Sequence, residues 1–242
     1  MQRPLPGAVD AISRLEDAGV PFAFVTNNSY RSVAEQESAL EQIGVKARGR
    51  VLTSSMAAAE IVGTGGRVLV GGGPGVVDAL IRKSAAEIVL VEDRPTGQFD
   101  HVVVGFHRHF DFDGLHALSS AIRSGATFVA TNDDATYPTP DGPIPGGGSI
   151  VAAVATASGV QPLIAGKPHQ PMARLVQSHF AGHDLSEAWM VGDRLSTDGA
   201  FARLLGSRFA RVRSNVSEAH GDVPITIERN SLADVVDEIL RG

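Results

Sequence analysis

"FVTNNS", Phe24–Ser29, runs three residues of strand-forming character directly into two amides and a hydroxyl. Preceded by Phe22 and Ala23, it reads as a buried strand that ends at Thr26 and gives way to a helix near Arg31. "MVGDRLSTD", Met190–Asp198, has the same form, with carboxylates in place of amides. In open parallel sheets ligands sit beyond the carboxyl ends of the strands, so these two polar clusters are where chemistry is to be sought.

Working outward, short apolar runs at 22–26, 67–71, 87–91, 101–105, 127–131, 188–192 and 209–213 read as strands. Helix-period segments lie near 8–18, 31–43, 75–83, 112–124, 146–158, 170–181, 197–205 and 231–240. Strands that alternate with helices predict an α/β fold with mainly parallel sheets. The central strands end in glycine or in loops rich in proline and glycine, unlike the first and last ones. That difference predicts a smaller second domain inserted into a core, with edges near 58 and 162. The opening "PLPGAVDAISRL" enters a helix almost at once, and such a helix normally packs on a sheet, which raises the question of what strand precedes it.

Composition narrows the class. At 242 residues the chain can bury one large core or two modest ones, and 43% hydrophobic with 20% charged residues is a globular balance. A net charge of -6 argues against a nucleic-acid surface, which needs a basic face. Without cysteine there is neither disulfide nor thiolate metal site, and the cytoplasm is the expected compartment. No apolar run approaches the roughly 20 residues that span a bilayer, so no membrane partner is expected.

Each polar strand end has a functional and a structural reading. Thr26, Asn27, Asn28 and Ser29 offer hydroxyl, amide and main-chain donors suited to a phosphate; structurally, Asn28 or Ser29 would only cap the next helix. Asp193 and Asp198 beyond one strand suit a hard cation such as Mg²⁺, which takes oxygen ligands; structurally, Asp198 would be a helix N-terminal charge. Lys167, in "LIAGKPHQP", can neutralise a phosphate or hold a carboxylate, whereas most single lysines are solvated.

Two further motifs are weighed and set aside. "VGGGPGVVDAL" has glycines between a strand and a helix, but Val76 stands where the third glycine of G-x-G-x-x-G belongs, so a tight turn is expected. "HRHFDFD" alternates His107, His109, Asp111 and Asp113 as a metal-binding strand face would, yet Asp111 as the cap of a helix from Phe112 is the simpler expectation.

Taken together and in this order, "FVTNNS", "GKP" and "MVGDRLSTD" resemble the haloacid dehalogenase superfamily of phosphatases. With "TNDDATYPTPDGPIPGGGSIVAAV" between them, the chain is similar to subfamily IIA, the nagD-type and 4-nitrophenylphosphatase-like enzymes, from Pro4 to about Gly206. The resemblance implies a Rossmann-like core, residues 1–57 and 163–242, interrupted by an α/β cap domain, residues 58–162. It implies Mg²⁺-dependent hydrolysis of a small phosphorylated metabolite and leaves homo-oligomerisation open. By position, Thr26 binds the transferring phosphoryl group with Asn27 beside it, and Lys167 steadies phosphate and nucleophile. Asp193 ligates Mg²⁺ and Asp198 supports that site. Asn28 and, in the cap, Asn132 and Asp134 of the "TN-x-D" element fall near the substrate. His107 stands where the family usually has aspartate, so substrate preference is expected to differ.

In the family an Asp-x-Asp-Gly motif closes the strand just before the segment matched by "PLPGAVDAI"; its aspartates are the nucleophile and the general acid/base. Residues 1–242 hold no such motif there: Asp10 and Asp17 lie in the opening helix, and Asp111 and Asp113 lie far along the chain. The favoured reading is that Met1 is an internal methionine; the others are a pseudoenzyme that binds phosphorylated ligands and a degraded gene. The absent strand belongs between those ending at Thr26 and Asp193, so these two are expected not to pair directly, and the 242-residue form is expected to have impaired activity.

Overall fold

The computed structural model describes residues 4–85, 87–139, 141–214 and 222–241. In chain order its elements are α1 (Ala8–Asp17), β1 (Phe24–Thr26), α2 (Val33–Glu41), β2 (Val51–Thr53), α3 (Ser54–Val62), β3 (Arg67–Gly71), α4 (Pro74–Arg82), β4 (Glu87–Leu90), β5 (His101–Val104), α5 (Phe112–Arg123) and β6 (Thr127–Ala130). There follow β7 (Thr136–Thr139), β8 (Gly142–Pro145), α6 (Gly147–Ser158), β9 (Leu163–Ile164), α7 (Gln170–His179), β10 (Trp189–Gly192), α8 (Ala200–Leu205), β11 (Arg208–Val212), β12 (Ile227–Arg229) and α9 (Leu232–Arg241). All seven expected strands form, and every expected helix is present, with ends that differ by a few residues.

The chain divides into two units. The first holds the residues up to Phe24, Ala34–Val51 and Lys167 onward; the second holds Val25–Val33 and Leu52–Gly166. The expected boundaries lay at 57/58 and 162/163; here the divisions fall at 51/52 and 166/167, and Val25–Val33 groups with the second unit.

In the first unit β10, β11 and β12 form a parallel three-stranded sheet with Met190 opposite Phe209 and Ala210 opposite Ile227. Phe209, Leu195 and Ala202 are buried together against Met190. The opening helix α1 places Ala11 and Leu15 one turn apart on a single face, which closes with Ile12 and Phe22 over Val236 and Leu232 of α9. Each such fully buried aliphatic side chain contributes about 1.5–3 kcal/mol relative to exposure.

The second unit is built on a parallel five-stranded sheet in the order β4-β3-β5-β6-β9. Its central strands are valine runs because both faces are covered: Val68, Val70, Val102, Val103, Val104 and Val129 have no exposed surface. Leu118 and Ile122 of α5, with Val151 and Val154 of α6, close one face over Val102, Val104 and Phe128.

β1 pairs with β2 in a two-stranded sheet, whereas β10 has β11 as its neighbour. Among the described residues β1 and β10 do not pair, so the direct ladder that contradicts the expected layout is not formed. Elements not foreseen are helix α3, the strands β2, β9 and β12, and the antiparallel hairpin β7–β8, in which Tyr137 faces Ile144.

Candidate functional site

The first unit gathers charge beyond the end of β10. There the chain turns through a single π-helical turn, Leu195–Gly199, before α8. Asp198, whose structural reading was a helix N-terminal charge, lies inside that turn and is buried. Its two oxygens have separate tasks. Oδ1 accepts a hydrogen bond from the Lys167 ammonium at 2.7 Å, and Oδ2 accepts from the main-chain N–H groups of Asp193 and Arg194, both at 3.2 Å. Lys167 and Asp198 keep 11% and 9% of their side-chain surface, so the pair is largely dry and depends on this full set of partners. The lysine is therefore not a solvated surface residue, and Asp198 ties the strand end to it.

Asp193 differs. It is half-buried, and its carboxylate has no hydrogen-bond or ion-pair partner among the described residues, while its own N–H is held by Asp198. Among the described residues no three His, Cys, Asp or Glu side chains gather as a complete cage for a metal. Mg²⁺ does not require one: it keeps several waters and binds through one or two carboxylates plus substrate phosphate. An unpartnered Asp193 carboxylate braced by an engaged Asp198 fits such an ion, with Asp193 to hold it and Asp198 to support it.

The second unit gathers amides and hydroxyls. Thr26 Oγ1 accepts from the Asn28 N–H at 3.1 Å, and Asn28 Oδ1 accepts from the Tyr30 N–H at 3.1 Å, which folds Thr26–Tyr30 into two successive side-chain-to-main-chain turns. Helix α2 starts only at Val33, so Asn28 shapes a turn and does not cap the helix. The hydroxyl hydrogen of Thr26 has no acceptor among the described residues, which leaves it able to donate. Asn27 Nδ2 donates to Asp134 Oδ2 at 3.1 Å, and its carbonyl accepts from Asn132 Nδ2 at 2.9 Å and Ser54 Oγ at 2.8 Å. Asn132 Oδ1 in turn accepts from the Asp134 N–H at 3.1 Å. The structure thus brings Asn27, Asn132 and Asp134 into one network, with Asn28 Nδ2 donating to the Tyr137 hydroxyl at 3.4 Å beside it.

His107 lies apart from that network. Its Nε2 is 2.6 Å from Glu92 Oε1, and its buried Nδ1 has no partner among the described residues. The alternating "HRHFDFD" residues do not form a metal site: β5 ends at Val104, Asp111 caps α5 by accepting from the Gly114 N–H at 2.7 Å, and Asp113 pairs with Arg94. The glycine-rich "VGGGPG" is a turn into α4, and the Gly75 N–H donates to the Tyr30 carbonyl at 2.9 Å, which occupies a donor that a dinucleotide would need.

Ser54, Ser55, Thr131 and Tyr137 were not singled out in the sequence. The first two follow the apolar pair Val51–Leu52 as "TSS", the same apolar-to-polar step that marked Thr26.

A family model described as haloacid dehalogenase-like hydrolase matches residues 1–83, and one described as HAD-hydrolase-like matches residues 164–239. An acid sugar phosphatase from Staphylococcus saprophyticus is 35% identical over 198 residues, which are 80% of this chain and 74% of the relative. A hypothetical protein from Pyrococcus horikoshii, known as a crystal structure, superposes with a TM-score of 0.88 at 34% identity over 99% of this chain and 94% of that one. A glycerol phosphate phosphatase from Mycobacterium tuberculosis, crystallised in complex with magnesium, superposes with a TM-score of 0.82 at 32% identity over 95% of this chain and 70% of that one.

Proposed function

The chain belongs to the haloacid dehalogenase-like hydrolase family, and on that premise we propose that it serves Mg²⁺-dependent hydrolysis of a small phosphomonoester of the sugar phosphate or glycerol phosphate class. The observation that carries this reading is the division of labour beyond β10, where Asp198 is spent on Lys167 and two main-chain donors while the Asp193 carboxylate has no partner among the described residues. In this reading Lys167 neutralises phosphate charge, and Asp193 holds the cation with Asp198 as its brace. Thr26 donates its hydroxyl hydrogen to a phosphoryl oxygen, with Asn27 beside it. When bound, Mg²⁺ supplies charge neutralisation of the phosphoryl oxygens. Phosphoryl transfer is mostly positioning and electrostatic stabilisation, which these groups are equipped to give. Residues 58–162, with Asn132, Asp134 and His107, are read as the cap that governs which substrate is accepted.

The test is phosphate release from 4-nitrophenyl phosphate and from a panel of sugar and glycerol phosphates, with Mg²⁺ and with chelator. It is run on residues 1–242 and on a form extended upstream through an Asp-x-Asp-Gly strand. Metal-dependent turnover that needs the extension supports the reading and places the nucleophile upstream of Met1. Equal robust turnover in both forms means that another residue is the nucleophile. The same groups would also serve a second reading, a module that binds phosphorylated ligands without turnover. Under that reading the chain binds inorganic phosphate with Mg²⁺, and neither form releases it from an ester.

A further inference from the structure

We propose that the carboxyl-terminal edge of the second unit's sheet is a seat for Asn27–Arg31, and that Gly75 and Gly166 are positioning residues for Thr26 and Asn27. The inference rests on the reading that these two side chains handle a phosphoryl group.

Strands β3, β5, β6 and β9 are parallel, so their carboxyl ends share one edge, where open sheets ordinarily take a ligand. In this protein that edge holds a piece of the chain itself. Past β3, a methyl group on Gly75 would lie 2.7 Å from the Ser29 carbonyl oxygen and 2.6 Å from the Arg31 carbonyl carbon, both main chain and unable to swing aside. Past β9, a methyl group on Gly166 would lie 2.6 Å from Asn27 Oδ1 and 2.8 Å from the Thr131 carbonyl oxygen. Past β5, the room at Gly105 is likewise taken by Ser29 Oγ, at 3.0 Å. Two strand ends and the first turn of α4 therefore lack a side chain where the same segment lies against them, the use of glycine for close backbone approach.

Buried hydroxyls then fasten the segment at its centre. Ser55 Oγ donates to the Ser29 carbonyl at 3.0 Å, and Thr131 Oγ1 donates to Ser29 Oγ at 3.0 Å. The clamps grip Ser29 and the main chain of Asn27, while the Thr26 hydroxyl hydrogen stays without an acceptor among the described residues. A segment clamped this way presents its first residues at a fixed place. Displacement of a reacting group by about 1 Å costs on the order of 10²-fold in rate.

The test uses the full chain, in the extended form if only that form turns over, with Gly75→Ala, Gly166→Ala and Thr131→Val. Thr131→Val removes one clamp without adding bulk and serves if a glycine variant does not fold. Amide hydrogen exchange is expected to rise across 25–33 in each variant while β3, β5 and β6 stay protected. The kcat for 4-nitrophenyl phosphate is expected to fall, on the order of 10²-fold for the glycine variants, with KM little changed. Unchanged exchange at 25–33, or a rise spread evenly over the whole second unit, overturns the seat. A local rise in exchange that leaves kcat untouched overturns the positioning role of Gly75 and Gly166. A wild-type protein that neither releases nor binds phosphate defeats the proposed function instead, and the exchange pattern still decides the seat.

Discussion

The two units solve the problem of a polar cluster at strand ends with different chemistry. Beyond β10 the first unit uses full charges: an ammonium and a carboxylate, buried together and saturated by main-chain donors. The second unit uses mainly amides and hydroxyls, with Asp134 as the carboxylate that accepts from Asn27. Charged partners taken out of water are costly to separate, whereas neutral hydrogen bonds cost one donor at a time. The first cluster should therefore fail all at once and the second by degrees.

The largest expected effect comes from Asp198→Ala, which takes the carboxylate away from the buried Lys167 ammonium and the acceptor from two main-chain N–H groups. It should destabilise the protein by about 3–5 kcal/mol, read as a fall in the denaturant midpoint. Asp193→Asn, five residues earlier, separates function from stability. Its carboxylate has no partner to lose among the described residues, so stability should stay within about 0.5 kcal/mol of wild type. Turnover of the active form, or the Mg²⁺ dependence of phosphate binding, should drop by on the order of 10²-fold or more. Equal stability losses in these two variants break the division of labour between brace and ligand.

In the second unit, Asn132→Ala removes a donor to the Asn27 carbonyl and an acceptor for the Asp134 N–H. We expect a loss of about 1–3 kcal/mol and faster amide exchange at 26–28, sharpening the contrast with Asp198. A smaller effect should come from Asp111→Ala, which deletes the cap of α5 at a cost of about 1 kcal/mol and leaves phosphate chemistry unchanged.

The smallest effect is set by pH. A hydrogen bond from Arg229 holds the Glu238 carboxyl below the ordinary carboxylate range, and a hydrogen bond from Lys46 does the same for Glu16. Both belong to the first unit and both are half-buried. Because their folded values are depressed, their contribution is present above the unfolded value and is lost as pH falls through the folded one. Acid titration should therefore lower stability slightly below the ordinary carboxylate range, and Glu238→Gln should flatten that part of the curve.

Legibility in the sequence followed distance along the chain. Asp111 as a cap could be read because its acceptor and donor are three residues apart. Thr26 and Asp193 could be placed at strand ends because the step from apolar to polar is local. The amide network could not be read, since Asn27 and Asp134 stand 107 residues apart and nothing in either stretch names its partner. Helix α3 was missed although its signal is local, with Thr53 Oγ1 accepting from the Met56 N–H ahead of an alanine run. The glycines of "VGGGPG" were readable as a turn, but the segment they make room for was not.

By itself the sequence determined the α/β alternation, the valine strands and the identity of the polar groups at their ends, because periodicity and burial act over a few residues. Only the tertiary structure decided that Asp198 is consumed by Lys167 while Asp193 is not, and that Asn27–Arg31 lies along the edge of a sheet built from later residues. Both outcomes turn on which buried polar group finds which partner. That choice is made by packing between remote segments, where an unpaired donor or charge is too costly to leave.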